Sequence, residues 1–350
     1  MVQALVDGLA GRKGIELHHV NLPLSRDPGD IGRIRPGKLW VLLRACLKAR
    51  RFARANDFDT LYYVPAPGKR SALYRDWIAL GMCRPAFRRL VLHWHATGLG
   101  GWLPQKMSPP ARRLTHHVLD GADLAIVLGP ALRTDAETFA ARRTAVVPNG
   151  IADPCPDWIP RNHASGAPLQ IAFLGLGNEA KGLFDTAGAV LTANRLSCAP
   201  PDQPVFVLAA AGGFSDQADE TRFRRLTDAH PSMLRHLGFV EGAAKRRLLD
   251  GSDCLCLPTR YPHEGQPLVL LEAMAHDLPV VSTRWRGIPD TVHPETSRLV
   301  EPGDVAALVQ ALRELQSAPP PPGAARAFFK EHYTLGKHLD LLAEALTALS

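Results

Sequence analysis

The chain has 350 residues, a formal net charge of +7, 46% apolar residues and 21% charged residues. This composition is that of a globular protein large enough for two domains, and no apolar stretch approaches the roughly 20 residues of a membrane-spanning helix. The N-terminus has no signal-peptide pattern and the six cysteines have no spacing typical of zinc sites or disulfide frameworks, so a reducing cytoplasm fits.

Predicted strands alternate with predicted helices along the whole chain. The strands are predicted at residues 15–20, 60–65, 90–95, 124–129, 144–150, 170–175, 205–211, 233–240, 253–258, 279–283 and 297–300. Helical patterns fall between them, for example at 185–196, 219–229 and 267–276. This alternation predicts an α/β protein with parallel sheets built from βαβ units.

Proline-rich breaks divide the chain into domains. We predict a Rossmann-like N-terminal domain over residues 1–152, a linker over 153–168 and a second doubly wound domain over 169–318. Residues 324–350 are expected to form C-terminal helices that pack back toward the first domain. Two such domains place a cleft at the carboxyl ends of their strands, where ligands usually bind.

The two halves of the chain differ in charge. Residues 1–150 carry a net charge of +12 and residues 151–350 a net charge of −5. A basic half suggests an anionic partner, such as phosphate groups, anionic lipid or nucleic acid. No sequence signature of a nucleic-acid-binding module is present, so we do not expect nucleic acid as a partner.

A basic helix is predicted after Pro36, within residues 35–56. Its cations stand beside apolar residues that include Trp40 and Leu47. One interpretation is a basic amphipathic face in peripheral contact with an anionic membrane, and the other is a core helix with a solvated basic side. The two interpretations are compatible.

Two glutamates flank a turn and an apolar run in HEGQPLVLLEAMAHDLPVV (263–281). Glu264 precedes the turn, and Glu272 lies within the run that follows. An acid in an apolar environment is costly unless a hydrogen-bond donor meets it. The alternative is a helix N-cap acid followed by a surface glutamate.

A glycine-rich loop follows the strand predicted at 170–175. The stretch FLGLGNEAKG (173–182) turns on Gly175 and Gly177 and enters a helix near Lys181. Glycines allow close backbone approach and a lysine adds positive charge, which is the pattern of a phosphate cradle.

Together, five stretches resemble family 4 glycosyltransferases. The paired glutamates resemble the motif of that family, VVPNGI (146–151) its hinge signature and FLGLGNEAKG its phosphate-contact loop, while GADLAIVLGPALR (121–133) and LVEPGD (299–304) match weaker patterns. The resemblance covers roughly residues 85–350. It implies a GT-B fold, in which two doubly wound Rossmann-like parallel-sheet domains face an interdomain cleft. The first domain would bind the acceptor and the second the nucleotide sugar.

The resemblance also implies roles for individual residues. Glu272 would accept hydrogen bonds from the ribose and Glu264 would lie at the donor sugar, while Phe239 and Val240 would hold the base. A core position for Phe239 is the alternative. The implied donor-binding residues are Gly175, Lys181, Phe239, Val240, Arg260, Glu264, Gly265, Gln266, Pro267, Leu268 and Glu272. The implied catalytic residues are Glu264, His95 and Lys181.

One position departs from the family pattern. The family usually has an arginine directly after the first glycine of the phosphate loop, where this chain has Leu176. Cations at the leaving diphosphate are a main source of rate, so the departure affects the phosphate clamp. Arg260, four residues before Glu264, is a candidate substitute, and a solvated arginine is the alternative.

The glycine-rich stretch HWHATGLGGW (93–102) ends a strand of the basic half. The resemblance places His95 at the donor sugar or the acceptor, where a neutral histidine can orient a hydroxyl or move a proton. A structural histidine at the strand end is the alternative. Asn149 and Gly150 are expected to shape the hinge between the domains.

The resemblance implies a retaining, metal-independent enzyme without a cofactor, which uses a nucleotide-diphosphate sugar and a saccharide or lipid-linked acceptor. The leaving phosphate would take the acceptor proton, and Glu264 would orient and stabilise the sugar. The expected setting is cell-envelope or extracellular polysaccharide synthesis, in the cytoplasm or at the inner face of its membrane. The alternatives are a non-catalytic sugar-nucleotide-binding or scaffold protein and a GT-B epimerase.

The start of the chain departs from the family pattern as well. Members usually begin with a strand and a glycine-rich loop, whereas this chain begins with a predicted helix, MVQALVDGLAG, followed by the strand predicted at 15–20. A parallel sheet without a central strand has unpaired edges. We therefore expect a version extended at the N-terminus to be more stable and more active.

Overall fold

The computed structural model describes residues 2–22, 36–160 and 167–349. They divide into two compact units, one formed by Met1–Pro148 with His338–Ser350 and the other by Asn149–Lys337. The division therefore falls after Pro148, whereas the sequence predicts it after residue 152. Residues 161–166 of the predicted linker lie outside the described residues, and of the predicted C-terminal helical segment only the part from His338 groups with the first unit.

The first unit contains a parallel sheet of four strands in the order β1-β2-β3-β4. The strands are β1 (Thr60–Tyr63), β2 (Arg89–Trp94), β3 (Leu124–Val127) and β4 (Thr144–Val146). Its helices are α1 (Val2–Leu9), α2 (Pro36–Asn56), α3 (Arg70–Cys83), α4 (Leu99–Lys106), α5 (Pro109–Leu119) and α6 (Thr134–Thr138). The core lies between the sheet and these helices, around the buried side chains of Leu73, Leu92 and Phe139.

The strand predicted over residues 15–20 is wrong. These residues form no regular secondary structure, and most of their side chains are exposed. A strand is stable only where a neighbouring strand satisfies its amide and carbonyl groups. Among the described residues, β1 pairs with β2 alone, so 15–20 adds no strand to this sheet.

The second unit contains a parallel sheet of six strands in the order β10-β9-β8-β5-β6-β7. The strands are β5 (Leu169–Leu174), β6 (Phe206–Ala211), β7 (Leu234–His236), β8 (Cys254–Leu257), β9 (Val280–Thr283) and β10 (Ser297–Val300). The helices are α7 (Leu183–Leu196), α8 (Gln217–Ala229), α9 (Gly242–Asp250), α10 (Leu268–Ala275), α11 (Ile288–Thr291), α12 (Val305–Ser317), α13 (Ala324–His332) and α14 (Leu335–Thr347), of which α14 continues into the first unit.

The central strands of this second sheet are buried on both faces. All four residues of β8 are buried, as are five of the six in β5, because helices cover both sides of the sheet. For this reason, the sequences of these strands are continuous apolar runs. The strand order reverses between β5 and β8, since the chain continues from β5 to β6 on one side and from β8 to β9 on the other. The predicted α/β class with two parallel sheets is confirmed.

Candidate donor-binding site

The loops after β5 and β8 carry many of the predicted donor-binding residues. Residues 175–182 follow β5, and residues 258–267 follow β8. The two strands are parallel neighbours, so both loops leave the sheet at the same edge and on either side of the point where the strand order reverses. Ligands of open α/β sheets bind at such a switch point, outside the carboxyl ends of the strands.

Glu264 is almost buried, and two donors meet its carboxylate. The residue is 7% exposed. Its Oε2 accepts a hydrogen bond of 2.6 Å from Lys181 Nζ and one of 2.9 Å from Thr259 Oγ1. Lys181 Nζ also lies 5.0 Å from the ring centre of Tyr261. The structure thus brings together Glu264 and Lys181, and it adds Thr259, which sequence reasoning missed.

The backbone fixes these two loops to each other. The Arg260 amide donates to the Ala180 carbonyl at 2.8 Å. Gly182 has a φ of +82°, and a Cβ there would lie 2.5 Å from the Pro258 carbonyl oxygen, so only glycine fits. Lys181 and Glu264 are therefore positioned by the chain itself as well as by their ion pair.

The backbones of Gly175 and Gly212 also approach each other closely, but a glycine is not required at position 175. A Cβ on Gly175 would make ordinary contacts, the nearest at 3.6 Å. A Cβ on Gly212, whose φ is +137°, would lie 1.8 Å from the Gly175 carbonyl oxygen. The steric requirement for glycine thus lies at Gly212, in the loop after β6, and sequence analysis did not single out that position.

The turn formed by Gly265, Gln266, Pro267 and Leu268 leads directly into α10. None of the described side chains caps the N-terminus of this helix. Its first amide groups therefore remain available to an anion. The Gln266 side chain is engaged elsewhere, since its Oε1 accepts a hydrogen bond of 2.6 Å from the Asn149 amide. Asn149 thus holds the turn in place, and its role in shaping a hinge stays a prediction.

Glu272 lies on α10 and has a cationic partner. Its Oε1 accepts a hydrogen bond of 2.6 Å from Lys245 Nζ on α9. The Glu272 side chain is 20% exposed and that of Lys245 33% exposed. Sequence analysis missed Lys245, because the local sequence GAAKRRLLD places it beside two arginines and no motif distinguishes it from them.

Arg260 reaches the glycine-rich loop, but its guanidinium already forms ion pairs with two carboxylates. It pairs with Asp185 on α7 and lies 3.2 Å from Glu179 in the loop. Leu176, at the position where the family usually has arginine, is 42% exposed. The role of Arg260 as a substitute for that arginine stays a prediction.

Phe239 and Val240 follow β7 and differ in burial. Phe239 is 77% exposed, which makes the alternative of a core phenylalanine wrong. Gly238, directly before it, has a φ of +68°. Val240 is half-buried and packs against the core of the second unit. An exposed aromatic ring can stack on a nucleobase.

The predicted histidine of the first unit belongs to a cluster. His95 directly follows β2, and its ring centre lies 4.0 Å from that of His93. His93 is fully buried, its Nδ1 contacts the Tyr62 hydroxyl, and its ring stacks at 6.4 Å on that of His338. Burial lowers the pKa of His93 well below its usual value, and His95 and His338 lower it further. His93 is therefore neutral and acts as a packing partner of His95.

The described residues contain neither a metal-binding cluster nor a membrane-spanning helix. In the ranges 2–22, 36–160 and 167–349, no group of three or more His, Cys, Asp or Glu residues is arranged to hold a metal ion. In the same part of the chain, no helix combines the length and the apolar character needed to cross a membrane.

The fold is that of GT-B glycosyltransferases. HepE from Anabaena, solved in complex with UDP, aligns with a TM-score of 0.68 and 18% identity over 87% of this chain and 82% of HepE. Sucrose-phosphate synthase from Thermosynechococcus elongatus aligns with a TM-score of 0.67 and 19% identity, over 91% of this chain and 81% of that enzyme. At this identity the similarity establishes the fold.

The sequence of the second unit matches a family model. Residues 171–318 match the family model described as "Glycosyl transferases group 1". This stretch includes Lys181, Glu264 and Glu272. The predicted resemblance to glycosyltransferases is therefore confirmed for this part of the chain, which is similar to group 1 glycosyltransferases.

Curated relatives share parts of the sequence. A GDP-mannose-dependent monoacylated alpha-(1-6)-phosphatidylinositol monomannoside mannosyltransferase of Corynebacterium glutamicum is 31% identical over 133 residues, which is 37% of this chain and 35% of the relative. The putative colanic acid biosynthesis glycosyltransferase WcaL of Escherichia coli is 36% identical over 100 residues, or 27% of this chain and 25% of WcaL. The match thus spans about a third of these relatives or less.

Proposed function

We propose that this protein transfers a sugar from a nucleotide-diphosphate donor to a saccharide or lipid-linked acceptor. The observation that carries the proposal is the pair of Lys181 and Glu264, which lies at the switch point of the second sheet within the segment that matches group 1 glycosyltransferases. A lysine beside a nearly buried carboxylate provides a cation for a diphosphate and an acceptor for sugar hydroxyls in one place.

The local charges suit a leaving diphosphate. Lys181 neutralises Glu264, so that an incoming anion does not meet a bare carboxylate. Both α7 and α10 begin at this edge of the sheet without a side-chain cap among the described residues, and their N-termini favour negative charge. Glu272 then accepts hydrogen bonds from the ribose, and Phe239 stacks on the base.

We further propose that transfer retains the anomeric configuration and proceeds from the front face without a metal ion or cofactor. The leaving phosphate takes the acceptor proton, and Glu264 orients and stabilises the sugar. The hydrogen bonds from Lys181 and Thr259 support this role, because a carboxylate that accepts two of them on one oxygen is a weaker nucleophile. His95 orients the donor sugar or the acceptor from the first unit.

The setting we propose is the assembly of cell-envelope or extracellular polysaccharide, in the cytoplasm or at the inner face of its membrane. The roles in colanic acid and phosphatidylinositol mannoside synthesis that the two curated relatives are named for support it. Nucleic acid is not among the proposed partners.

A donor screen tests the proposal. UDP-, GDP- and ADP-sugars are added to the protein, and the melting temperature is measured, because a bound ligand stabilises the folded state by mass action. We expect one nucleotide class to raise the melting temperature of the wild-type protein and not that of the Glu272→Ala variant. A matched control is Glu295→Ala, an exposed glutamate outside the site. No stabilisation by any donor would overturn the proposal.

A second candidate is a non-catalytic sugar-nucleotide-binding protein, and Leu176 is the observation that favours it. A leucine in place of the family's arginine supplies no charge to the diphosphate. This candidate predicts donor binding without sugar transfer to any acceptor and without donor hydrolysis. The Arg260→Ala variant tests whether Arg260 supplies the cation that Leu176 lacks. Loss of turnover supports Arg260 as the substitute cation, whereas unchanged donor affinity and turnover rule that role out.

A further inference from the structure

One side of α2 combines exposed apolar side chains with exposed cations. Trp40 is 68% exposed and Leu47 is 46% exposed. Trp40, Arg44, Leu47 and Arg51 follow one another at intervals of three or four residues, so they share one face of the helix. These four residues line a shallow groove along that face.

The opposite side of α2 is the one that packs into the first unit. Leu42, Cys46 and Ala53 are buried there. Leu42 and Cys46 form a small apolar cluster with Ala79 and Cys83 of α3. A core contact is therefore already provided by residues that lie away from Trp40. The core-helix interpretation of the sequence therefore applies to this side of α2, and contact of the other side with an anionic membrane stays a prediction.

All charged side chains of α2 are positive. Its sequence, PGKLWVLLRACLKARRFARAN, contains six cations and no acidic residue. Arg50 is used within the fold, since it donates to the Met82 carbonyl at 2.6 Å. Arg44, Lys48 and Arg51 are exposed beside the groove. A surface of this kind is complementary to a partner that has both negative charge and an apolar interior.

We propose that this face of α2 docks the protein on an anionic lipid bilayer. The helix lies in the plane of the interface, with Trp40 and Leu47 inserted below the headgroups and Arg44, Lys48 and Arg51 against the lipid phosphates. A nucleic acid would use the cations but would leave Leu47 in water. This inference specifies the membrane contact within the proposed setting, but it does not depend on the donor or the reaction.

Vesicle co-sedimentation without any donor tests the docking surface. We expect binding to vesicles of phosphatidylcholine containing about one third phosphatidylglycerol, weaker binding as salt rises and little binding to phosphatidylcholine alone. The triple variant Arg44→Gln, Lys48→Gln, Arg51→Gln should weaken binding by about fivefold for each charge removed. Trp40→Ala should weaken it at constant charge.

A control variant with the same loss of charge distinguishes binding through α2 from attraction by the net charge of the whole protein. Arg113→Gln, Arg195→Gln and Arg313→Gln together remove three exposed cations outside α2 and should leave vesicle binding near that of the wild type. Melting temperatures establish that each variant is folded. The inference is overturned if the wild-type protein does not bind the anionic vesicles at low salt, if the control variant loses as much binding as the α2 variant, or if the protein binds RNA but no vesicle.

Discussion

Lys181 Nζ lies 2.6 Å from Glu264 Oε2, and the two side chains are 20% and 9% exposed. They come from loops that follow the neighbouring strands β5 and β8. Both charges are largely removed from water. Substitution of either residue therefore leaves a nearly buried charge without its partner, which is destabilising. The effects of substitutions at the two positions are therefore expected to be non-additive.

Glu264→Gln should abolish most transfer while sparing affinity for the nucleoside diphosphate, which lacks the sugar. The amide keeps the size of the side chain but removes the charge that stabilises the reacting sugar, a change of the kind that costs about 10²–10³-fold in kcat. Initial-rate kinetics and the binding of the nucleoside diphosphate measure the two effects separately. Glu295→Gln, at an exposed position, is the control. A Glu264→Gln variant with unchanged kcat would refute the assigned role.

Lys181→Met should weaken binding of the nucleoside diphosphate by about 10–100-fold, the usual range for a lost hydrogen bond to a charged group. It should also lower the melting temperature, because it leaves Glu264 nearly buried without its cation. Calorimetry with the diphosphate and thermal unfolding measure the two effects. Lys330→Met, on the exposed side of α13, is the control for a lost lysine. Equal affinities of Lys181→Met and wild type would contradict the phosphate role.

The motifs and their placement on the sheet could be predicted from the sequence, because glycine-rich turns and apolar strands have local signatures. Lys181 and Glu264 were both singled out, and the structure joins them. Gly212 was not, since its role depends on which strands become neighbours. Thr259 was not either, because the loop conformation that brings its hydroxyl to Glu264, five residues later, has no sequence signature. A strand was wrongly predicted at 15–20 because alternating polarity indicates a strand only if a neighbour is present to pair with it.

The partners of charged residues were the least predictable part of the site. Lys245 meets Glu272 and Asp185 meets Arg260 only through tertiary packing, and the sequence separates each pair by many residues. Likewise the exposure of Phe239 follows from the path of the chain after β7. The sequence specifies which chemical groups are available, whereas packing decides which of them meet.

Lys245→Met should raise the KM for the donor by about tenfold with little change in kcat, since it removes a positioning contact worth about 1.4 kcal/mol from Glu272. A purely structural role would lower stability without this split between KM and kcat. Arg247→Met, at an exposed position of the same helix, is the control. The positioning role is rejected if KM stays at the wild-type value.

Leu176→Arg should increase activity. Leu176 is 42% exposed in the loop between Gly175 and Gly177, so the longer side chain of arginine has room at this position. One added cation at the leaving group should raise kcat/KM by about tenfold. Leu196→Arg, at the end of α7 and 54% exposed, adds the same charge elsewhere and should have no effect. If the two variants behave alike, the loop does not contact the phosphates.

The buried histidines of the first unit should make its stability fall in mild acid. Burial lowers the pKa values of His93 and His338, so the unfolded chain, in which histidine titrates near pH 6.5, binds protons that the folded chain does not. The stability is thus fully present above about pH 6.5 and is lost as the pH falls, by up to about 1.4 kcal/mol per pH unit for each histidine. Urea unfolding at about pH 7.5 and pH 5.5 measures this slope. His93→Gln should reduce it, and His117→Gln, at an exposed position of α5, should not. Equal slopes for wild type and His93→Gln would show that the proton is taken up elsewhere.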